Sequence, residues 1–439
     1  MRLKLLITLV LASTWMVSCS DEDKSKDNAP VDQQTPTGQQ TPTDQQPPTD
    51  QQTPTDQQTP TDQQTPTDQQ TPTDQQTPTD QQTPTDQNSK AWDGLDNTYL
   101  FGSLSEDVKA VLPVLPVKSL DSMGHSPNDI VMNETHAFVM DYGNNTIHRI
   151  SLETLDVEKN FVDLGQNAGP ASGFADEKNL YIVCNMIPQV VKVDLATKKQ
   201  EVILDANYLK MGSTVVKAGN SIVVADSEYE YKKTEGKLVV ITEDGSIRTH
   251  KTATPNPTYL NAIQNDDKQY IVSANSGELE YDADYNMIPP EQSCIQLWDM
   301  DELVKEDAPT VKTHCETNAY VGKLSHSESK LYVGDGLVPK VYAADISKLS
   351  DFDTWSSMDL SNGGDLNMTI PLAVGEDLAV FNFNNDSLTW LRGDKRLTLK
   401  LSQSEASKKG PLSAIYDSKH KQILVLNTAS GSVDVLSVK

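Results

Sequence analysis

From residue 91 onward the chain alternates short apolar runs with polar turns, and seven of those runs share one form. They are "AFVMD" (137–141), "YIVCN" (181–185), "IVVAD" (222–226), "YIVSA" (270–274), "LYVGD" (331–335), "LAVFN" (378–382) and "ILVLN" (423–427). Each has valine third, and six close on Asp or Asn: Asp141, Asn185, Asp226, Asp335, Asn382 and Asn427. A short apolar segment precedes every pentad. A second strand-like run follows it, such as "TIHRI", "KLVVI" or "SVDVLSV", and in six of the seven repeats a further alternating run completes the unit. Short strands separated by Asn, Asp, Gly and Ser turns predict an all-β fold. Four strands per repeat, in seven repeats spaced 41 to 61 residues apart, predict a seven-bladed β-propeller.

The seventh repeat ends at Lys439 after its third strand. A ring left open there would expose an edge. "DVKAVLPVL" (107–115) is expected to supply the missing outer strand, with Pro113 tolerated at a sheet edge. The repeat "SPNDIVMNETHAFVMDYGNNTIHRISLETLDVEKNFVDLG" (126–165) resembles the YVTN-type propeller repeat of bacterial surface and secreted proteins, and "NLYIVCNMIPQVVKVDLATKKQEVIL" (179–204) is similar to it. The resemblance implies the fold and carries no catalytic residues, since that family has no shared chemistry.

The first 90 residues are built differently. "MRLKLLITLVLASTWMVSCS" has a basic start and an apolar run too short to span a bilayer, so residues 1–18 read as a signal peptide. Met16-Val17-Ser18-Cys19 resembles the bacterial lipobox, which implies lipidation of Cys19 and attachment to a lipid bilayer. Ser20 after it resembles lipoproteins sent to the outer membrane, and Asp21-Glu22-Asp23 resembles a surface-export signal. Between 33 and 86 a Gln-Gln-Thr-Pro-Thr-Asp hexamer occurs nine times with small variations. It has no apolar residue with which to build a core, so residues 19–90 are expected to be a disordered tether. As a coil they would span about 45 Å, and fully extended about 220 Å.

Charge narrows the partners. The total of −27 divides into +2 over 1–18, −10 over 19–90 and −19 over 91–439. An acidic body repels phosphate backbones, so no nucleic-acid partner is expected.

In a propeller the links between second and third strands share a face with the links between blades. Two of the former are long: "DSEYEYKKTEG" (226–236) in blade three and "NSGELEYDADYNMIPPEQS" (275–293) in blade four. Their Tyr229, Tyr231, Glu278, Glu280, Tyr281, Asp282, Asp284 and Tyr285 form the expected ligand-binding lip, because aromatics give contact area at low entropic cost. The carboxylates of Glu280, Asp282 and Asp284 would suit Ca²⁺, but no Asp-x-Asp-x-Asn-Gly loop frames them. No cofactor or metal is therefore expected. The recurring Asp and Asn at pentad ends could ring the channel, or could turn the chain by bonding local backbone groups. Cys294 opens the third strand of blade four and Cys315 closes its fourth, so the two should face each other as a disulfide. Cys184 reads as a buried free thiol.

No HExxH, Cys-x-x-Cys or GxSxG occurs, and no catalytic residue is assigned. The expected function is an envelope-anchored, non-enzymatic binding module for a small molecule, glycan or protein. The alternatives are a lyase- or lactonase-type propeller enzyme and a scaffold subunit of an outer-membrane assembly or uptake complex.

Overall fold

The computed structural model describes residues 92–227, 236–278, 280–281, 287–305, 307, 309–360 and 368–439. They build seven antiparallel sheets arranged as blades. Blade one consists of Pro127–Met132, His136–Asp141, Thr146–Ser151 and Val157–Asp163, paired in chain order from the innermost strand outward. Blades two to six repeat this order from innermost strands at Pro170–Ala175, Gly212–Ala218, Pro257–Asn265, Val321–His326 and Thr369–Val374. Blade seven starts at Pro411–Asp417. Each innermost strand packs on that of the next blade, and the seventh packs on the first, so the ring is closed.

The core is distributed between the blades rather than gathered in one place. Phe138 and Met140 pack toward blade two, with Leu180 and Ile182. Their neighbours Ala137 and Val139 pack toward blade seven, with Leu424 and Leu426. Successive side chains of a strand point to opposite faces of its sheet, and both faces of every blade are covered. Hence the second strands read as unbroken apolar runs instead of alternating ones. Seven clusters of buried apolar side chains fill the seven inter-blade spaces.

Closure uses the N-terminal segment, as expected, but not over 107–115. Residues Glu106–Val111 form a helix, capped by Ser105, whose Oγ accepts from Val108 N. Glu106 and Asp107 lie in its first turn, where acidic side chains favour the helix. Pro113 stands at the junction, and a residue before proline is steered out of helical geometry. The closing strand is Val114–Leu120, which pairs antiparallel with Ser432–Val438 as the outer strand of blade seven. The proline inside it is Pro116, at a register shift between Pro116 and Lys118. A further short strand, Thr98–Tyr99, runs parallel to the outer strand of blade six.

The ladders also correct the register of two pentads. Paired against the innermost strands, Asp141, Asp226, Asn275, Asp335, Asn382 and Asn427 occupy one equivalent position, and in blade two that position is Cys184. Blade two is thus displaced by one residue from the "YIVCN" alignment, and blade four by one the other way. The valine column then holds in five blades, with Ile182 and Ser273 in the others.

Candidate functional site

The strands of each blade run alternately up and down. Links between second and third strands, and between blades, therefore emerge at one end of the ring, here called the mouth. The remaining turns emerge at the opposite end. A cavity of about 100 Å³ lies at the mouth. It is lined by the first residues of the innermost strands, among them Asn128, Asp129, Ser172, Thr258, Tyr259 and Lys323, together with Asn185 and Tyr320 from the links.

Bulges aim these side chains. In blades one, two, three, four and seven the register shifts between the first and third residues of the innermost strand, and in blade five between Val321 and Leu324. A bulge twists its strand and redirects a side chain. Asn128, Ala171, Ser213, Thr258 and Leu412 are the skipped residues, and all five line the cavity.

At its centre one ion pair ties four blades together. Lys323 Nζ of blade five donates to Asp129 Oδ1 of blade one at 2.9 Å and to Ser413 Oγ of blade seven at 3.2 Å. Ser413 Oγ donates to the same carboxylate oxygen, and Ser172 Oγ of blade two donates to Oδ2, each at 2.6 Å. The ammonium also lies 4.8 Å from the centre of the Tyr259 ring, within range of a cation–π attraction. Burial works against the charge on Lys323, but Asp129 more than offsets it, and the amine is held above its ordinary range. Burial pushes the Tyr259 phenol up as well, so it stays protonated. At neutral pH both groups are fixed in one protonation state.

Of the recurring Asp and Asn, Asp141, Asp226, Asp335 and Asn382 bond local backbone groups, Asn427 bonds the Ser432 and Asp434 side chains, and only Asn185 lines the cavity. Asp141 accepts from His125 N, Asn144 N and the Asn144 amide. Asp226 accepts from Lys210 N and Met211 N, and Asp335 from Tyr320 N, Leu337 N and Val338 N. Gly124 makes the first arrangement possible. Its φ is +112°, and a Cβ there would stand 2.0 Å from the Asp141 carboxyl carbon. Burial raises the carboxyls of Asp226 and Asp335 above the ordinary 3.8 despite those bonds.

Of the expected lip, Tyr229, Tyr231, Asp282, Asp284 and Tyr285 lie outside the described residues. Glu280 and Tyr281 form a short strand against Met287–Ile288, so the blade-four insertion contains a hairpin. Glu278 stands at its half-buried base. That base is tied down: Asn256 Nδ2 donates to Gly277 O at 2.6 Å, and Val321 N donates to Ser293 Oγ at 2.8 Å.

Cys294 and Cys315 are directly paired across the third and fourth strands and form the disulfide, at the mouth end of blade four. Cys184 is buried and unbridged, and burial pushes its thiol up to about 12. Among the described residues no cluster of His, Cys, Asp and Glu has the makings of a metal site.

The cavity was not anticipated from sequence. Lys323 sits in "VGKLSH", and its partner Asp129 is 194 positions away. The available signal was a polar residue two or three places into six of the seven innermost strands, as in "PND", "PAS" and "VGK".

The second feature of the mouth is its composition. The links "YGNN" (142–145), "NMIP" (185–188), "GLVP" (336–339) and "TASG" (428–431) carry no charge, nor do the crossovers "GQNAG" (165–169), "TATPN" (252–256) and "TNAY" (317–320), whereas Asp205, Lys210, Glu278, Asp386, Glu405, Lys408 and Lys409 place charges in the other mouth segments. Met186, Ile187, Tyr208 and Ile288, four of the exposed large apolar side chains, are on this face. The opposite end carries "NET" (133–135), "DEK" (176–178), "LETLD" (152–156) and "TEDGS" (242–246).

No protein-family model matches the chain, and no curated protein matches it. Among solved structures it is similar to virginiamycin B lyase from Staphylococcus aureus, at 9% identity and a TM-score of 0.54. That match covers 73% of this chain and 99% of the lyase. It is also similar to the β-propeller domain of Cps50 (Swd1) from Myceliophteria thermophila, at 13% identity and a TM-score of 0.50. There 74% of this chain and all of that domain are covered. At such identities the likeness is one of fold, and the chain is a seven-bladed β-propeller.

Proposed function

We propose that this protein is a non-enzymatic binding module of the YVTN-repeat type, anchored to the outer membrane through a lipid on Cys19 and carried on the Gln-Thr-Pro-Asp tether. Its docking surface is the mouth face of the ring. The observation that carries the reading is the cavity at the mouth, with Met186, Ile187, Tyr208 and Ile288 exposed on the same face. Exposed apolar side chains grouped on one face mark interaction sites. The state of the cavity's groups supports binding over catalysis. A lysine held charged and a tyrosine held neutral are suited to hold a ligand, whereas a general acid or base works best with a pKa near the operating pH.

The test is a pull-down from native membranes with the full chain, comparing wild type with the Met186→Asp, Ile187→Asp double variant. Retained material in the wild type should disappear in the variant, because a charge placed in a docking surface must be desolvated. Equal retention by both would overturn the docking face. Separately, Cys19→Ala should release the protein from the membrane fraction, and continued membrane association would refute the lipid anchor.

A further inference from the structure

Taking the mouth face as the docking face, the chemistry of its cavity narrows the class of partner. A lysine ammonium has three N–H donors. On Lys323 one goes to Asp129 and one to Ser413, and the third has no acceptor among the described residues. Both Asp129 oxygens are already engaged, so the pair offers an incoming group a donor and little else. A free anion accepting that third N–H would also lie close to the Asp129 carboxylate, where like charges repel strongly at low dielectric. An uncharged carbonyl oxygen meets no such penalty.

Size and surroundings point the same way. About 100 Å³ is well below the 300–1,000 Å³ typical of pockets for drug-sized ligands, and it suits the end of one side chain. The rim next to it exposes Met186 and Ile187, which follow the cavity-lining Asn185, and Tyr208 lies in the following crossover. Methionine and aromatic residues are enriched where proteins dock on proteins.

We propose that the occupant is a protein partner which covers this rim and inserts one uncharged, carbonyl-bearing side chain, an asparagine or glutamine, whose oxygen accepts the third Lys323 N–H. The rim then supplies apolar contact area, and Lys323 supplies the one directional bond that a buried ammonium can make without a new counter-charge.

Two experiments on the full chain test this. A photo-reactive benzoylphenylalanine is placed at Ile187, or at Glu243 on the opposite face, and irradiated in native membranes. It is combined with the native pair or with the neutral pair Asp129→Asn, Lys323→Met. A protein adduct is expected from 187 and not from 243, about tenfold weaker with the neutral pair. The neutral pair keeps the fold, since both charges leave together, and a thermal melt checks that. In parallel, propionamide, propionate and glucose are titrated against purified wild-type protein by ligand-observed NMR. Propionamide should show saturation transfer that the neutral pair loses.

Preference for propionate or for glucose would overturn the proposal in favour of an anion or a glycan. An undiminished adduct from 187 with the neutral pair would remove the inserted side chain but leave the docking face standing. An adduct from 243 alone would remove both. Should the neutral pair melt below the assay temperature, the order of propionamide and propionate on the wild type decides.

Discussion

The two ends of the ring are made by the same seven blades and yet hold their charged groups in different surroundings. At the opposite end many of the turns are charged, and several of their carboxylates are held low by local bonds. Asp345, paired with Lys330 at 2.9 Å, is one such group. Asp244 is another, lowered to about 2 by the Thr242 hydroxyl and Ser246. At the mouth the strand-end carboxyls are buried, and burial moves Asp226 and Asp335 the other way. On the proposed reading the opposite end stays in water and the mouth is covered by a partner.

Ion pairs at the two ends give the sharpest contrast. The Lys323–Asp129 side chains are 13% and 10% exposed, those of Lys330 and Asp345 47% and 51%. Breaking a buried pair from one side strands a charge and costs about 3–5 kcal/mol; an exposed pair is worth about 0–1 kcal/mol. Lys323→Ala should therefore lower unfolding free energy by several-fold more than Lys330→Ala, measured by denaturant titration. Equal losses would mean that the central pair is solvated and the cavity wrongly described.

Next in size is the staple at the mouth end of blade four. A 21-residue separation between Cys294 and Cys315 corresponds to about 3 kcal/mol of stabilisation in the chain-entropy account. The Cys294→Ala, Cys315→Ala double variant should unfold correspondingly earlier. Hydrogen exchange should rise first at Asn275–Glu278 and Ser293, the base of the blade-four insertion. Faster exchange confined to the helix Met300–Lys305, at the far end of that hairpin, would contradict the placement.

The smallest expected effect is in pH dependence, and there the two ends have opposite signs. Asp345 has a lowered folded pKa, so its contribution is present above 3.8 and is lost as pH falls through the folded value. Asp226 and Asp335 have raised folded values, so their contribution is present below 3.8 and is lost as pH rises through them. Lys323 adds an alkaline component of its own. Its stabilisation is complete below its ordinary 10.5 and is lost as pH rises through the elevated folded pKa. Carboxyl NMR titrations should place Asp226 and Asp335 above 3.8 and Asp345 below it; a common direction would erase the distinction.

Much of the scaffold was legible because it repeats. A valine-centred run every few tens of residues can be recognised seven times over, and the Cys294–Cys315 pairing follows from strand positions alone. The closing strand was misplaced because 107–115 mixes apolar and charged residues in a way that also suits a capped helical turn, and Ser105 decides for the helix. Two pentads are displaced by one for different reasons: in blade two Val183 and Asn185 mimic the pattern one residue beyond the true frame, which ends on Cys184, and in blade four Ser273 stands in the valine column before Asn275. The cavity was illegible for a different reason. Its members are single residues at bulged strand starts, and only closure of the ring brings Asp129, Ser172, Lys323 and Ser413 together.

The central claim is that the mouth is the face that binds, and hydrogen–deuterium exchange of the full chain in native membranes, set against the purified chain, tests it most directly. Protection in the membrane at Asn185–Pro188, Asp205–Met211 and Thr317–Lys323, with 152–156 and 242–246 unchanged, is the predicted result. Protection at 152–156 and 242–246 with the mouth links unchanged, or no protection at the mouth at all, would contradict it.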